Sequence, residues 1–328
     1  MKKSPLVVIM MPNQNSASLA YKGKSIMMSC LESLKKTRYE NYRVVVADNG
    51  SSDNSRQMAS RFKGVEFLVK KTREEYGGIP RTNNFAIRYI VRRYKPEYIM
   101  MFNTDMIVKD PLWLQRIVDL AESDEDIGLV GCKLLYPNGR IQHAGIITSS
   151  FPVNVGRGEP DRGQYDYIKE VDGVTAALVL IRTSMLRKVA LFDELFYNGF
   201  DDTDFCLRVR EAGYRIMYIG KSSIIHLEGF ASGQSLNQSM RDKSFYGHQT
   251  AYAYYIYKNL HGLDRLKALI SLFGRGLTMY GIDTDTGSGK AKHIKFRDRP
   301  LWRIGVCLKA LSDGRRIYRM HRRPPMAF

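Results

Sequence analysis

Three acid-bearing stretches and two histidines are the residues of this chain whose types and spacing suit chemistry. Asn103-Thr104-Asp105 follows an apolar run at Tyr98–Phe102 that anchors it. A carboxylate held there can bind Mn²⁺ or Mg²⁺, since such cations favour oxygen ligands and keep several waters. The cation would neutralise charge building on a departing diphosphate. The same residues also make an ordinary strand-end turn. Asp201-Asp202-Thr203-Asp204 places three carboxylates in four residues. Their repulsion needs compensation from the helix N-terminus and from Arg208, four residues after Asp204 on the same helical face. That pairing makes Asp204 and Arg208 structural and leaves Asp201 or Asp202 as a general base, with simple helix capping as the competing reading. Asp48-Asn49-Gly50 can hydrogen-bond a nucleobase and ribose, or serve only as the turn that a strand-to-helix junction needs. His226, and His143 within Ile141-Gln142-His143-Ala144-Gly145, read on their own as satisfied core histidines.

The elements that must position these groups alternate through the first 130 residues. Leu6–Met11 reads as a buried strand, and Ser25–Lys36 as a helix turning Ile26, Cys30, Leu31 and Leu34 inward. Tyr42–Ala47 reads as a strand opening into the turn at 48–53, and Val65–Val69 as another strand. A Gly77-Gly78-Ile79-Pro80 loop leads to a helix over Arg81–Tyr94 and then to the Tyr98–Phe102 strand. This rhythm predicts a mostly parallel sheet covered on both faces, with ligands beyond the carboxyl ends of its strands. Later, Ile127–Leu135 and Ile141–Ile147 flank a hairpin turn at Pro137-Asn138-Gly139. Residues 150–170, rich in Gly, Pro and charge, read as a long mobile loop. Val174–Ile181 reads as a strand, Asp201–Ala212 as a helix stopped by Gly213, and Tyr214–Ile219 as a strand leading to His226. Beyond residue 240 the pattern is helical. Leu301, Ile304, Leu308 and Leu311 form an apolar stripe near Arg303, Lys309, Arg315 and Arg316, suited either to a membrane surface or to the core.

Composition bounds the rest. The 328 residues are 44% hydrophobic, enough for one large domain or for a domain plus a substantial appendage. Cys30, Cys132, Cys206 and Cys307 stand singly, which predicts no disulfide framework and a reducing, cytosolic setting. Net charge is +18, and residues 261–328 hold 15 Lys/Arg against 5 Asp/Glu, so an anionic surface is an expected partner of that region. The Leu6–Met11 run after Lys2 and Lys3 is shorter than a signal segment. No stretch approaches about 18 apolar residues, so membrane contact is expected to be peripheral, at the inner face. A nucleic-acid-binding protein would suit the charge and the 20 tyrosines, but no binding module or compact basic-aromatic stripe occurs. A dinucleotide oxidoreductase would need a Gly-x-Gly-x-x-Gly turn where this chain has Pro-Asn-Gln-Asn.

Taken in order, six segments resemble the family 2 glycosyltransferases, inverting enzymes of the GT-A fold, and most of all the rhamnosyltransferase-like branch. They are VVVADNGSSDNS, GGIPRTNNFAI, YIMMFNTDMIVKDPLWL, IGLVGCKLLYPNGRIQHAGI, VDGVTAALVLIRTSML and LFDELFYNGFDDTDFCLRVREAGYRIMYIGKSSIIHLEG. The resemblance implies a GT-A catalytic domain over 1–240, with a nucleotide-binding half to about residue 110, and a helical, basic extension over 241–328. It implies that Pro12, Asp48, Asn49, Arg81, Asn84, Asn103 and Thr104 contact the nucleotide-sugar, a UDP- or dTDP-sugar. Asp105 and His226 would hold Mn²⁺ or Mg²⁺ with the diphosphate, and Asp202, beside Asp201, would be the catalytic base toward a glycan or lipid-linked acceptor. The chain departs from the family pattern in places. MMPNQN ends the first strand, the stretch Gln14–Ser25 is longer and more polar, Asp201 replaces a Glu, and Asn103 leaves a single carboxylate in the metal motif.

Overall fold

The centre of the protein is one twisted sheet whose parallel strands are apolar on both sides. β1 (Val7–Asn13), β2 (Tyr42–Asp48), β3 (Val65–Val69) and β4 (Tyr98–Phe102) run parallel in the order β3-β2-β1-β4. Along β1, Val7, Ile9 and Met11 pack on one side with α1 (Ile26–Leu34) and α3 (Trp113–Glu122). Val8 and Met10 pack on the other side with α2 (Ile79–Tyr94) and α4 (Asp201–Glu211). Two buried faces need apolar residues at every position, which is why these strands read as continuous runs. The computed structural model describes residues 4–69, 78–196, 199–228, 238–278, 280–284, 291–295 and 300–321. Lys2, Lys3, Gly77 and Gly229, and the segments of the basic region outside those ranges, lie beyond the described residues.

The sheet continues past β4 with mixed direction. β7 (Leu178–Arg182) runs antiparallel to β4, Leu178 facing Phe102, and antiparallel to β6 (Ile127–Leu135). β8 (Arg215–His226) runs parallel to β6, and its end pairs with β5 (Met106–Val108), His226 facing Met106. The expected α/β sheet of GT-A type is therefore the observed one. Residues 174–177 lie ahead of β7 as a connecting segment, and β8 extends to His226, seven residues beyond the expected Ile219.

The mobile loop expected over 150–170 is a correction: the segment is pinned. The buried Lys133 ammonium binds Asp161 at 2.8 Å and also Asp166. Gly220 donates its N–H to the Tyr167 carbonyl at 2.8 Å. A Cβ on Gly220 would lie 1.7 Å from the Tyr165 carbonyl oxygen, so only glycine lets this flap lie on β8.

Residues beyond 240 pack against the aromatic residues before α4. α5 (Gln238–Asn259) buries Tyr252, Tyr255 and Ile256 against Phe196 and Phe200, and α6 (Gly262–Thr278) and α7 (Pro300–Met320) pack on it. At the α5–α7 crossing, a Cβ on Gly314 would come 2.7 Å from Ala253 Cβ and from the Tyr254 nitrogen. The two backbones approach closely there because glycine leaves the space. The expected all-helical extension also contains an antiparallel hairpin, Tyr280–Thr284 with Ala291–Lys295.

Candidate active site

The parallel strands end in register at one edge of the sheet, Asn13 opposite Asp48 and Pro12 opposite Ala47. Asp48 is buried, and its carboxylate accepts from Asn13 Nδ2 (2.8 Å), Ser51 Oγ (2.5 Å), and the N–H groups of Gly50 (3.1 Å) and Ser51 (2.9 Å). Those four bonds fill the lone-pair sites that a carboxylate has, so Asp48 shapes the turn. Asn15, in the left-handed region at φ 54°, accepts from the Ser52 N–H at 2.8 Å and closes the turn from the other side. Burial by itself raises the Asp53 carboxyl, but hydrogen bonds from Ser55 and Ser18 outweigh it and hold it below the usual value.

The start of α2 faces this turn through Thr82, whose hydroxyl donates to Asn49 Oδ1 at 2.9 Å. Asn84, expected to line the nucleotide pocket, is committed elsewhere. Its amide donates to the Phe192 carbonyl (2.8 Å) and Glu194 Oε1 (2.9 Å), and accepts from the Phe192 N–H (3.0 Å). Arg81 is half-exposed and meets the same Glu194 at 3.3 Å. Asn83, by contrast, is 1% exposed, and among the described residues neither end of its amide has a hydrogen-bond partner. An unmet buried amide costs about 1–3 kcal/mol, a deficit that a polar ligand would remove.

The second corner forms where β4 and β8 end. Thr104 Oγ1 donates to the Pro12 carbonyl at 3.4 Å, tying this turn to β1. Asp105 Oδ1 stands 3.2 Å from His226 Nε2, while the Leu227 N–H donates to the Asp105 carbonyl at 2.9 Å. On the far side of the imidazole, Nδ1 lies 2.7 Å from Gln142 Oε1, and Gln142 Nε2 donates to Glu228 Oε2 at 2.8 Å. Arg157 binds both Glu228 oxygens, at 3.1 and 3.0 Å. Burial by itself would raise Glu228, but Arg157 and His226 keep it low and ionised, so the Gln142 amide group can only donate toward it. Gln142 Oε1 is then the acceptor of the His226 Nδ1–H, and the Nε2 lone pair points at Asp105. Two acceptors facing each other need a cation between them. Burial lowers His226, but the Asp105 charge outweighs it and raises the imidazole. Asp105, likewise opposed by burial, is held low by His226.

These residues fit a divalent cation. Adjacent ligands on an octahedral ion with bonds of about 2.1 Å stand roughly 3 Å apart, close to the separation observed. A histidine whose other ring nitrogen is fixed by a hydrogen bond is the usual form of a metal-ligating imidazole. Among the described residues, no group of three or more His, Cys, Asp or Glu converges on one point.

The third corner is the start of α4. Asp202 Oδ1 accepts from the Thr203 N–H at 2.8 Å, and its carboxylate also meets the Thr175 side chain and the Ala176 backbone. The next residue, Ala177, accepts from the Asn103 N–H at 3.0 Å. The segment 175–177 therefore joins the acidic helix to the Asn103–Asp105 turn, and both lie at the carboxyl edge of β4. Cys206 seats α4 on Val174 through bonds of 3.4 and 3.5 Å. Burial raises the Asp201 carboxyl first, and the charge of Asp202 adds to it; Asp202 is raised as well, chiefly by burial. Asp204 is fully buried and answers Arg208 Nε (3.0 Å), Lys258 Nζ (2.7 Å) and Asn259 Nδ2 (3.1 Å). Arg208 also donates to the carbonyls of Val189 (2.7 Å) and Leu191 (2.9 Å), so it cross-links this region.

The pattern of glycosyl transferase family 2 matches residues 11–188, more than half of the chain, and takes in Asp48, Asn49, Thr82 and Asp105 but not His226 or Glu228. The chain belongs to glycosyl transferase family 2. Among the curated relatives of this family 2 chain is the O-antigen biosynthesis protein RfbC of Myxococcus xanthus, 30% identical over 60% of this chain and 16% of that one. Rhamnosyltransferase WbbL of Escherichia coli K12 is 25% identical over 57% of this chain and 73% of its own length. The chain spans about a sixth and a quarter of the length of the first two curated relatives. In fold it is similar to the mannosyltransferase PcManGT from Pyrobaculum calidifontis, solved with GDP-Man and Mn²⁺. That match has a TM-score of 0.53 at 14% identity, over 96% of this chain and 76% of the other. GalNAc-T7, solved with UDP, GalNAc and Mn²⁺, matches with a TM-score of 0.54 at 13% identity, over 83% and 55% of the two chains.

Several residues of this family 2 site carry no isolated sequence signal. Gln142 and Glu228 are 86 positions apart, and nothing in either segment announces the other. Thr175 sits within a quoted motif whose apolar run draws the eye past it. Asn13 and Asn15 were legible in principle, as amides at a strand exit opposite a polar turn. His143 is a buried imidazole bonded to Asn154 Oδ1 at 2.6 Å, and burial lowers it to about 4. It is neutral and lies off the line of the site.

Proposed function

We propose that the chain transfers a sugar from a nucleoside-diphosphate donor to a hydroxyl of a glycan or lipid-linked acceptor, with inversion at the anomeric carbon. The observation that carries this reading is the facing pair Asp105 and His226, 3.2 Å apart at the strand ends. Across the 175–177 segment from that pair stands the acidic helix start. The relatives named for O-antigen biosynthesis and rhamnosyl transfer support the reaction class, and the folds solved with GDP-Man or UDP and Mn²⁺ support the donor class.

In this reading the turn at 48–53, with Asn49 and Thr82, receives the nucleoside, and Asn103 and Thr104 border the sugar and phosphates. Asp105 and His226 hold Mn²⁺ or Mg²⁺, which when bound offsets the negative charge of the leaving diphosphate. Asp202 accepts the proton of the acceptor hydroxyl. The acceptor oxygen bonds to the anomeric carbon on the face opposite the diphosphate as the carbon–phosphate-oxygen bond breaks. The flap over 150–170, anchored through Lys133, keeps a fixed wall, and Arg157 within it steadies Glu228, Gln142 and so His226.

Thermal-shift titration with UDP-, dTDP- and GDP-sugars, each with and without Mn²⁺, tests the donor class. The expected result is stabilisation by one nucleotide series that grows when Mn²⁺ is present, as follows for a ligand binding only the native state. No shift with any series in either condition would overturn the proposal.

A further inference from the structure

Two helices carry apolar faces that the described residues leave uncovered. On α6, Leu263, Leu266 and Ile270 are exposed, Leu263 by 74%, and their spacing puts them on one helical face. On α7, Leu301 is 83% exposed, Leu308 and Met320 are exposed, and Ile304 and Leu311 are half-buried between them. The opposite faces are already docked. Ala268 and Leu272 of α6 and Cys307 and Ala310 of α7 are buried, and the Cys307 thiol donates to the Leu272 carbonyl at 3.6 Å. The leucine stripe of α7 is thus its outer side, because the small residues face the protein.

Cations accompany this outer side. A groove of ≈ 500 Å³ is lined by Leu308, Leu311 and Met320 together with Arg315, Arg316 and Arg319. Lys267 is exposed on α6, while Lys309 and Arg316 share the single carboxylate of Asp313, at 2.9 and 3.3 Å, which leaves the cations in excess on this face. Guanidinium groups match phosphate oxygens in paired hydrogen bonds, and the neighbouring leucines match acyl chains, so the groove fits an amphiphilic anion. No helix among the described residues is long and apolar enough to cross a membrane, which leaves an in-plane arrangement.

We propose that α6 and α7 form a face that rests on an anionic phospholipid bilayer, leucines among the upper acyl chains and arginines on headgroup phosphates. A nucleic acid would engage the arginines and leave the leucines in water. A second copy of the chain would bring one basic face against another. Only the lipid surface answers both halves of the patch.

Vesicle co-sedimentation of the full chain tests this, with phosphatidylcholine alone and with phosphatidylcholine mixed with phosphatidylglycerol. Binding to the anionic vesicles that weakens as salt rises is expected, with little binding to phosphatidylcholine. A triple Arg315→Gln, Arg316→Gln, Arg319→Gln variant should bind about 100-fold more weakly, roughly fivefold per arginine. A Leu301→Gln, Leu308→Gln variant should weaken binding while keeping its salt dependence. Both sets of positions are exposed, so melting temperature and donor binding should stay as in the unsubstituted chain. The proposal is overturned if both variants bind vesicles as the original does, or if the chain binds no vesicle. Retention on single-stranded RNA without vesicle binding, or a dimer dispersed by the leucine substitutions, would overturn it equally.

Discussion

Replacing Asp202 with Asn is expected to lower kcat by about 10²–10⁴-fold, the range for losing a general base, while donor affinity changes less than about twofold on the same reasoning. Asparagine keeps the shape of the side chain and an oxygen able to accept from the Thr203 N–H, which lies 2.8 Å from Asp202 Oδ1. The start of α4 should therefore survive and only proton acceptance be lost. Nucleotide release in the presence of acceptor and calorimetric donor binding separate the two effects. A variant retaining a tenth or more of the rate would remove Asp202 from the role. The pH profile carries the same logic. Burial first, then the like charge at the pair, raises Asp201, and burial raises Asp202. The base must be ionised to work, so activity is lost as pH falls through a value above the usual carboxylate pKa of about 4. Asp201→Asn should leave that acid limb in place, because burial, not the Asp201 charge, is the chief cause of the Asp202 shift.

Asp204→Ala is expected to cost about 3–5 kcal/mol of stability, the range for breaking a buried ion pair by removing one partner. The substitution leaves Arg208 and Lys258, both largely buried, facing an empty site where 3.0 and 2.7 Å contacts stood. Thermal melting should fall by roughly 4–7 °C. Asp204→Asn, which still accepts one hydrogen bond, should lose less. The loss reaches across the chain because Lys258 also binds Asp193 at 2.6 Å and Tyr254 donates to Asp193 at 2.9 Å. A deficit below about 1 kcal/mol, typical of exposed pairs, would mean that α5 is not braced through this carboxylate.

What was legible followed from burial on two faces. Runs such as Val7–Met11 and Tyr98–Phe102 read as strands because both sides of the sheet are covered. The polar residues that interrupt them therefore mark strand exits, and Asp48, Asn103 and Asp105 all lie at the edge they predict. The Asp204–Arg208 pair was legible because four residues make one helical turn. Three features resisted for physical reasons. Asn84 reads as a pocket residue, yet its partners Phe192 and Glu194 lie more than a hundred positions away. The composition of 150–170 suggests mobility, but the anchors are Lys133 and Gly220, outside the segment. The α7 stripe left membrane surface and core both open; it faces outward because Cys307, Ala310 and Gly314 make the close contact, where leucine would have been too large.

In the proposed mechanism one corner grips the diphosphate and a carboxylate takes a proton, and donor calorimetry with and without Mn²⁺ separates the two roles. The original chain and Asp202→Asn should show the same gain in donor affinity when Mn²⁺ is added, whereas Asp105→Ala should show none. An Asp105→Ala variant that keeps the full Mn²⁺-dependent gain would contradict the assignment of the strand-end pair.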